Sequence, residues 1–200
     1  MCAAVIAVAA SNLGDVKPWE WLIFAGALVL ANFGEYWLHR IPFHNPRIPD
    51  FTYFEHTMRH HAFFSYERMW VEDLNDLKFV LFDLRVVPIM VLGLMPLFFA
   101  VRYLGEPDLG WLFLLGAISY YAVYEVVHAL SHLSPETTLG SIGIVQRLTH
   151  HHRVHHDPRL MRRFNFNFAI PLFDLVFGTT YRAGTMPASR YRNAPETARA

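Results

Sequence analysis

Apolar and polar positions alternate along this chain in long blocks. The first block, Trp19 to Leu38, reads WEWLIFAGALVLANFGEYWL. About 20 mostly apolar residues is the length a helix needs to cross the hydrocarbon core of a bilayer. Glu20 and Glu35 fall near its ends, where a charge is least costly, and Pro18 suits a first helical turn. A second block, Val86 to Val101, is shorter and carries Pro88 and Pro96. Extended back through KFVLFDLR it reaches spanning length, which predicts a proline-bent helix over about 77–101. A third block starts at Leu109 and predicts a span over about 109–131. The link RYLGEPD is short and holds Gly and Pro, so the second and third spans should form an antiparallel hairpin. Met1 to Ala10 is mildly apolar but too short to span and has no basic flank, so it reads poorly as a signal peptide. The first true span is then expected to act as its own insertion signal. The pattern predicts one all-α integral-membrane domain over 1–200, with about three to four transmembrane helices.

Composition agrees. Hydrophobic residues make up 54% of the chain and charged residues 17%, below the roughly 25% of an average soluble domain. The 17 basic residues balance 17 acidic ones, which disfavours nucleic acid as a partner. The neutral sum hides an asymmetry. Thirteen of the seventeen basic residues lie in segments 39–76 and 132–200, whereas the other flanks of the spans hold only Lys17 and Arg102. The positive-inside rule therefore puts segments 39–76 and 128–182, as a helical cap, in the cytoplasm.

The single cysteine, Cys2, excludes a disulfide framework and any cysteine-ligated cluster. The chain has twelve histidines, all within the two segments assigned to the cytoplasm. They form four groups: His39 and His44 in HRIPFH; His56, His60 and His61 in HTMRHH; His128 and His132 in HALSH; and His150, His151, His152, His155 and His156 in HHHRVHH. Spacings of three and four put side chains on one helix face, as in helices that chelate a metal with two imidazoles. Pro42 makes His39 and His44 approach from a helix end and a turn. Imidazole suits Zn, Cu, Fe and Ni, and one zinc takes about four ligands, so ten or more histidines suggest two ions. Nearby acids, Glu35, Glu55, Glu125, Asp157 and Asp174, are candidates to accept the second N–H of a ligating ring. In FNFNFAIPLFDLVFG, Asn165 and Asn167 alternate with aromatics, as if one met a buried polar partner. Phe43, Phe63, Phe64 and Trp70 are available as apolar pocket walls, and Tyr120, Tyr121 and Tyr124 as interfacial anchors or core. The HHHRVHH run read alone would suit a metal-scavenging tract, but an apolar, non-repetitive segment follows it.

EYWLHRIPFH, then HxxxHH, HxxxH at the end of a later span, and HxxHH followed by NF…PLFDLVFGT together resemble the sterol desaturase / fatty acid hydroxylase superfamily, closest to the fatty acid hydroxylase branch. The resemblance runs from about Gly34 to Tyr181. It implies an integral-membrane, non-haem diiron enzyme with the ligands His39, His44, His56, His60, His61, His128, His132, His152, His155 and His156. Two departures bear on that set. Three residues separate His56 from the HH pair, where the nearest branch has two, and the last box can be counted from His151, which stands as an alternative ligand. Glu35, Glu125, Asn165 and Asp174 are the expected supporting residues, and His150 is a spare. The implied activity is O₂-dependent hydroxylation of an unactivated C–H bond in a membrane lipid of fatty acyl, sphingolipid or sterol type. Zinc is a possible substitute for iron in purified protein. Electrons would come from a separate cytochrome b5-like or ferredoxin-like donor. Carotenoid hydroxylation and lipid desaturation are the enzyme alternatives, and a metal-binding membrane protein the non-enzyme one.

Overall fold

A computed structural model describes residues 1–47 and 50–182. Arg190, Arg192 and Arg199, counted in the charge bias, lie outside the described residues. Every regular element among the described residues is helical. Three helical segments are long and apolar enough to cross a membrane: Pro18–Arg40, Val86–Tyr103 and Pro107–Ser131. The first and third match the sequence expectation closely.

The first long helix, α2 (Trp21–Arg40), follows a single 3₁₀ turn, Pro18–Glu20, and a short N-terminal helix, α1 (Cys2–Ser11). Glu20 is 2% exposed yet paired: its carboxylate accepts the Lys17 N–H at 2.7 Å and lies 3.7 Å from the Lys17 ammonium. At the other end, Pro42 cannot continue the helix, and the chain turns through Phe43 and His44.

The second span departs from the expectation of one bent helix over 77–101. A short helix, α5 (Leu77–Val80), stops at Leu81, whose backbone is extended, and α6 (Val86–Leu104) starts afresh. Asp83 makes the break: its carboxylate accepts the Arg85 N–H and Nε–H, both at 2.8 Å. A local side chain-to-backbone bond of this kind offers the chain a turn in place of helix. The prolines do not interrupt α6. Pro88 sits in its first turn, where no N–H partner is needed, and Pro96 lies inside the helix. At 19 residues, α6 is about 28 Å long, enough to cross.

Helix α7 (Pro107–Ser131) is the axis of the bundle: α1, α2 and α6 all pack against it. Two glycines set the spacing. A Cβ on Gly116 would lie 2.7 Å from the Phe24 carbonyl oxygen, and one on Gly110 would lie 3.1 Å from that of Phe98. Absence of a side chain lets α2 and α6 close onto the N-terminal half of α7. The segment Met1–Ala10, expected only to be too short to span, falls from Cys2 onward in α1, which packs on α7; the link after it is tied to the start of α7 by Gly14 N–H to Asp108 at 3.1 Å and by Lys17 to Glu106 at 3.3 Å.

The remaining elements cover one end of the bundle. They are α3 (Asp50–Tyr53), a π-helical turn (Phe54–His60) running into α4 (His61–Phe63), a 3₁₀ turn (Leu74–Asp76) before α5, α8 (Gly143–His155) and α9 (Leu172–Val176). All four histidine groups sit on this end, at the C-termini of α2 and α7, in the π turn and on α8.

Candidate metal centre

Five histidines, His39, His44, His56, His61 and His155, bring one ring nitrogen each to within 4.8 Å of one another. A second set does the same with His60, His128, His132 and His152. His156 joins the second set, with its Nε2 3.1 Å from that of His60 and 3.0 Å from that of His152. The ten rings named from the sequence thus divide five and five. The two sets adjoin: His61 of the first stacks on His156 of the second, ring centres 4.2 Å apart.

Backbone geometry decides which ring joins which set, and it overrides simple helical pairing. The i, i+4 rule pairs His56 with His60, but the π turn holds more residues per turn. His56 meets His61 instead, Nε2 to Nε2 at 3.1 Å, and His60 swings into the second set. The three-residue spacing in this box is therefore accommodated by the wider turn. On α8, His155 faces the first set and His152 the second, joined there by His156 just beyond the helix end. His128 and His132 share one set, as their spacing predicts.

The second nitrogen of most rings has a partner. Nδ1–H donates to the carbonyl of Phe166 from His39 (2.7 Å), of Phe79 from His60 (2.7 Å), of Met69 from His132 (2.8 Å), of Phe164 from His155 (3.1 Å) and of Phe64 from His156. His44 Nδ1–H donates to the Thr57 hydroxyl at 3.0 Å, which in turn donates to the Phe43 carbonyl at 2.6 Å. These bonds fix the tautomer and leave Nε2 as a bare lone pair.

The consequence is that lone pairs face lone pairs. His44 and His155 oppose Nε2 to Nε2 at 2.9 Å, and His60 and His156 at 3.1 Å. With both Nδ1 atoms carrying the proton, neither pair can hydrogen-bond. His152 Nε2 meets three others, at 2.9, 3.0 and 3.1 Å. His39 Nε2 is buried with no partner. A cation at the centre of each set satisfies all of these atoms together. For a metal–nitrogen bond of about 2.1 Å, ligands at right angles lie about 3.0 Å apart and tetrahedral ones about 3.4 Å. The closest opposed nitrogens, 2.9–3.2 Å apart, are near enough to share one ion.

Burial keeps these rings neutral, as metal ligands must be. It pushes His60 down to about 4 and, with His60 and Arg162 nearby, His44 down to about 3. His56, His61, His132, His152, His155 and His156 are held well below 6.5 by burial and then mainly by neighbouring imidazoles.

The supporting residues act differently from expectation. Glu35 accepts not from an imidazole but from the Tyr120 hydroxyl, the Asn167 amide at 3.1 Å and the Phe168 N–H at 2.6 Å. Asp174 accepts the N–H groups of Phe166 and Asn167, at 3.1 and 2.7 Å. Asn165 bonds the His151 carbonyl and the Tyr181 N–H, and Glu125 the Phe82 N–H at 3.4 Å. Asp157 pairs with Arg159. Backbone carbonyls, which carry no sequence signal, do what was expected of carboxylates. His151, the alternative ligand by spacing, lies in neither set: its Nε2–H donates to the Asn167 carbonyl at 2.9 Å. Exposed His150 also lies outside both sets. Sequence reasoning missed Thr57 and Asn32, and read Tyr120 only as an interfacial anchor or core residue. Asn32 had a readable signal, since an amide inside an apolar span needs a partner; its side chain bonds the Ile170 carbonyl at 2.8 Å and the Tyr120 hydroxyl.

An apolar cleft of about 500 Å³ leads to the first set. Its walls are α2 (Ala27, Ala31, Leu38), α6 (Met90, Leu94) and α7 (Ala117, Tyr124), and it ends at His39 and Phe43. Of the expected wall residues, Phe43 lines it; Phe64 is fully buried against His132 and Phe63 stacks on Phe79. A far smaller cavity of about 20 Å³, room for one water, touches both sets through His56, His60 and His128 and is lined by Glu55, Arg59 and Lys78.

Comparison with known proteins bears on the fold and the family. Among solved structures, the chain is similar to full-length Scs7p, in which only the hydroxylase domain is visible, with 19% identity and a TM-score of 0.61. The alignment covers 90% of this chain and 62% of that one, so the two share a fold while this chain spans under two thirds of the other's length. No curated protein matches in sequence. The profile of the fatty acid hydroxylase family matches residues 24–179, from inside α2 to just beyond α9, taking in all ten clustered histidines, and the chain belongs to that family.

Proposed function

We propose that this protein is an O₂-dependent diiron lipid hydroxylase, with one iron held by His39, His44, His56, His61 and His155 and the other by His60, His128, His132, His152 and His156. The observation that carries the reading is the set of opposed Nε2 lone pairs whose tautomers are fixed from behind. Bound iron supplies the O₂ activation that no protein side chain can perform. Overall, a C–H bond and O₂, with two electrons and two protons, give a C–OH group and water.

The chain's own residues do the rest. Ten neutral imidazoles supply an all-nitrogen donor set without adding charge. The carbonyls of Phe64, Met69, Phe79, Phe164 and Phe166 and the Thr57 hydroxyl hold six of the rings in orientation. The cleft between α2, α6 and α7 takes an alkyl chain from the bilayer and leads it to the His39 side while excluding water. The charge bias favours a cytoplasmic position for the metal end of a multi-pass bundle, where a separate cytochrome b5-like or ferredoxin-like donor would dock. The substrate class is a membrane lipid with a long apolar chain.

Lipid analysis of a host with and without the protein tests this. A lipid one oxygen atom heavier, with the label entering from ¹⁸O₂, is expected. A lipid two hydrogens lighter would make the protein a desaturase. Unchanged lipids and no O₂ consumption in the metal-loaded protein would leave a metal-binding membrane protein.

A further inference from the structure

The carbonyls behind the two sets of rings come from two different stretches of chain. Those for the second set, Phe64, Met69 and Phe79, all lie in 64–79. Those for the first set, Phe164 and Phe166, lie in a segment without regular structure after α8. We propose that the hydrogen bonds orienting the two metal positions are scaffolded separately, and that Asp174, Asn167 and His151 are positioning residues for the first position. The inference rests on the diiron reading above.

The segment around Asn165–Phe168 has no helix or sheet to hold it, and Asn165 takes a left-handed φ of 57°. Side chains hold it instead. Three consecutive N–H groups end on carboxylates: Phe166 and Asn167 on buried Asp174, and Phe168 on half-buried Glu35. Asp174 is fully buried and also accepts the Thr179 hydroxyl at 2.6 Å. The Asn167 amide donates to the Asn32 carbonyl at 2.9 Å and accepts the Phe173 N–H at 3.1 Å. His151 pins the segment to α8 twice, donating to the Asn167 carbonyl and accepting from the Asn165 amide, each at 2.9 Å. The histidine that spacing offered as a ligand is thus a strut. Its protonated Nε2 is the reverse of the tautomer the clustered rings use.

Shifting this segment moves the Phe164 and Phe166 carbonyls and so turns His155 and His39. No hydrogen bond of the Asn165–Phe168 segment ends on the Phe64, Met69 or Phe79 carbonyl; the segment touches the second set only by packing, through the Phe168 ring, 4.1 Å from that of His152 and 5.5 Å from that of His128. In Asp174→Asn, one of the two oxygens becomes an NH₂ that opposes an N–H or hydroxyl donor, so part of the support is lost with little change of shape.

The test is chelator-driven metal release from detergent-purified protein loaded with two ions, followed by elemental analysis. In Asp174→Asn, release of one ion should accelerate by roughly 10–100-fold while the other is unchanged. His132→Ala, which removes a ligand of the second position, should lose the other ion. The double variant should lose both. Equal acceleration of both ions, no acceleration of either, or a double variant that still retains one ion would overturn the inference. If Asp174→Asn does not fold, Thr179→Val removes a single donor and should show a smaller shift confined to the same ion, with equal shifts again counting against it. A wild-type protein that binds no metal, or one ion, would overturn the diiron reading itself.

Discussion

Acidifying the metal-free protein from about pH 7.5 to about pH 5.5 should destabilise it sharply, because its clustered rings fold in the neutral state. His60 titrates at about 4 and His44 at about 3 in the folded protein, both through burial, against about 6.5 unfolded. Below pH 6.5 or so the unfolded chain takes up protons that the folded chain refuses. Stability is therefore full above about 6.5 and declines as pH falls, until about 4 for His60 and about 3 for His44. Over the two-unit step each such ring costs roughly 1 kcal/mol. Eight clustered rings outside the spans share the direction of shift. The contributions of the others add in the same direction to those of His44 and His60. The assay is thermal unfolding by circular dichroism in detergent, with and without metal, across this range. The melting temperature of the metal-free form should fall steeply on acidification, and saturating metal should restore much of the loss near neutral pH. A metal-free melting temperature at pH 5.5 equal to or above that at 7.5 would refute the claim that the rings are buried neutral.

Four substitutions extend the account. His155→Ala removes a fully buried ring of the first set and should abolish lipid oxidation, whereas exposed His150→Ala should leave it unchanged; equal activity in both would refute the ligand assignment. Ala31→Phe places a ring in the cleft and should raise KM most for the longest alkyl chains while metal content stays at wild type, as read by substrate series and elemental analysis. Gly116→Val puts a branched side chain where even a Cβ would lie 2.7 Å from the Phe24 carbonyl, so it should force α2 from α7, cost about 1–3 kcal/mol and lower the melting temperature.

Much of this architecture was legible in the sequence because bilayer thickness and imidazole chemistry both leave strong patterns. Helices α2 and α7 follow from apolar length, and all ten clustered rings from their four boxes. What escaped had no such pattern. The break before α6 depends on one local bond pattern at Asp83, which weighs little beside the apolar residues around it. The split of His60 from His56 depends on a π turn, and helix type is decided by packing rather than by spacing. The orienting acceptors are carbonyls, which every residue has, so the eye goes to Glu35 and Asp174 as direct partners when they act one step further out. Asn167 was noticed as odd among aromatics, but its partners, Asn32 and Glu35, lie more than a hundred residues earlier in the chain.

The most direct measurement is the metal content of protein purified without oxygen, with lipid oxidation followed before and after chelation. The account predicts about two irons per chain and activity that falls with their removal. A single zinc, no iron and activity indifferent to chelation would contradict it.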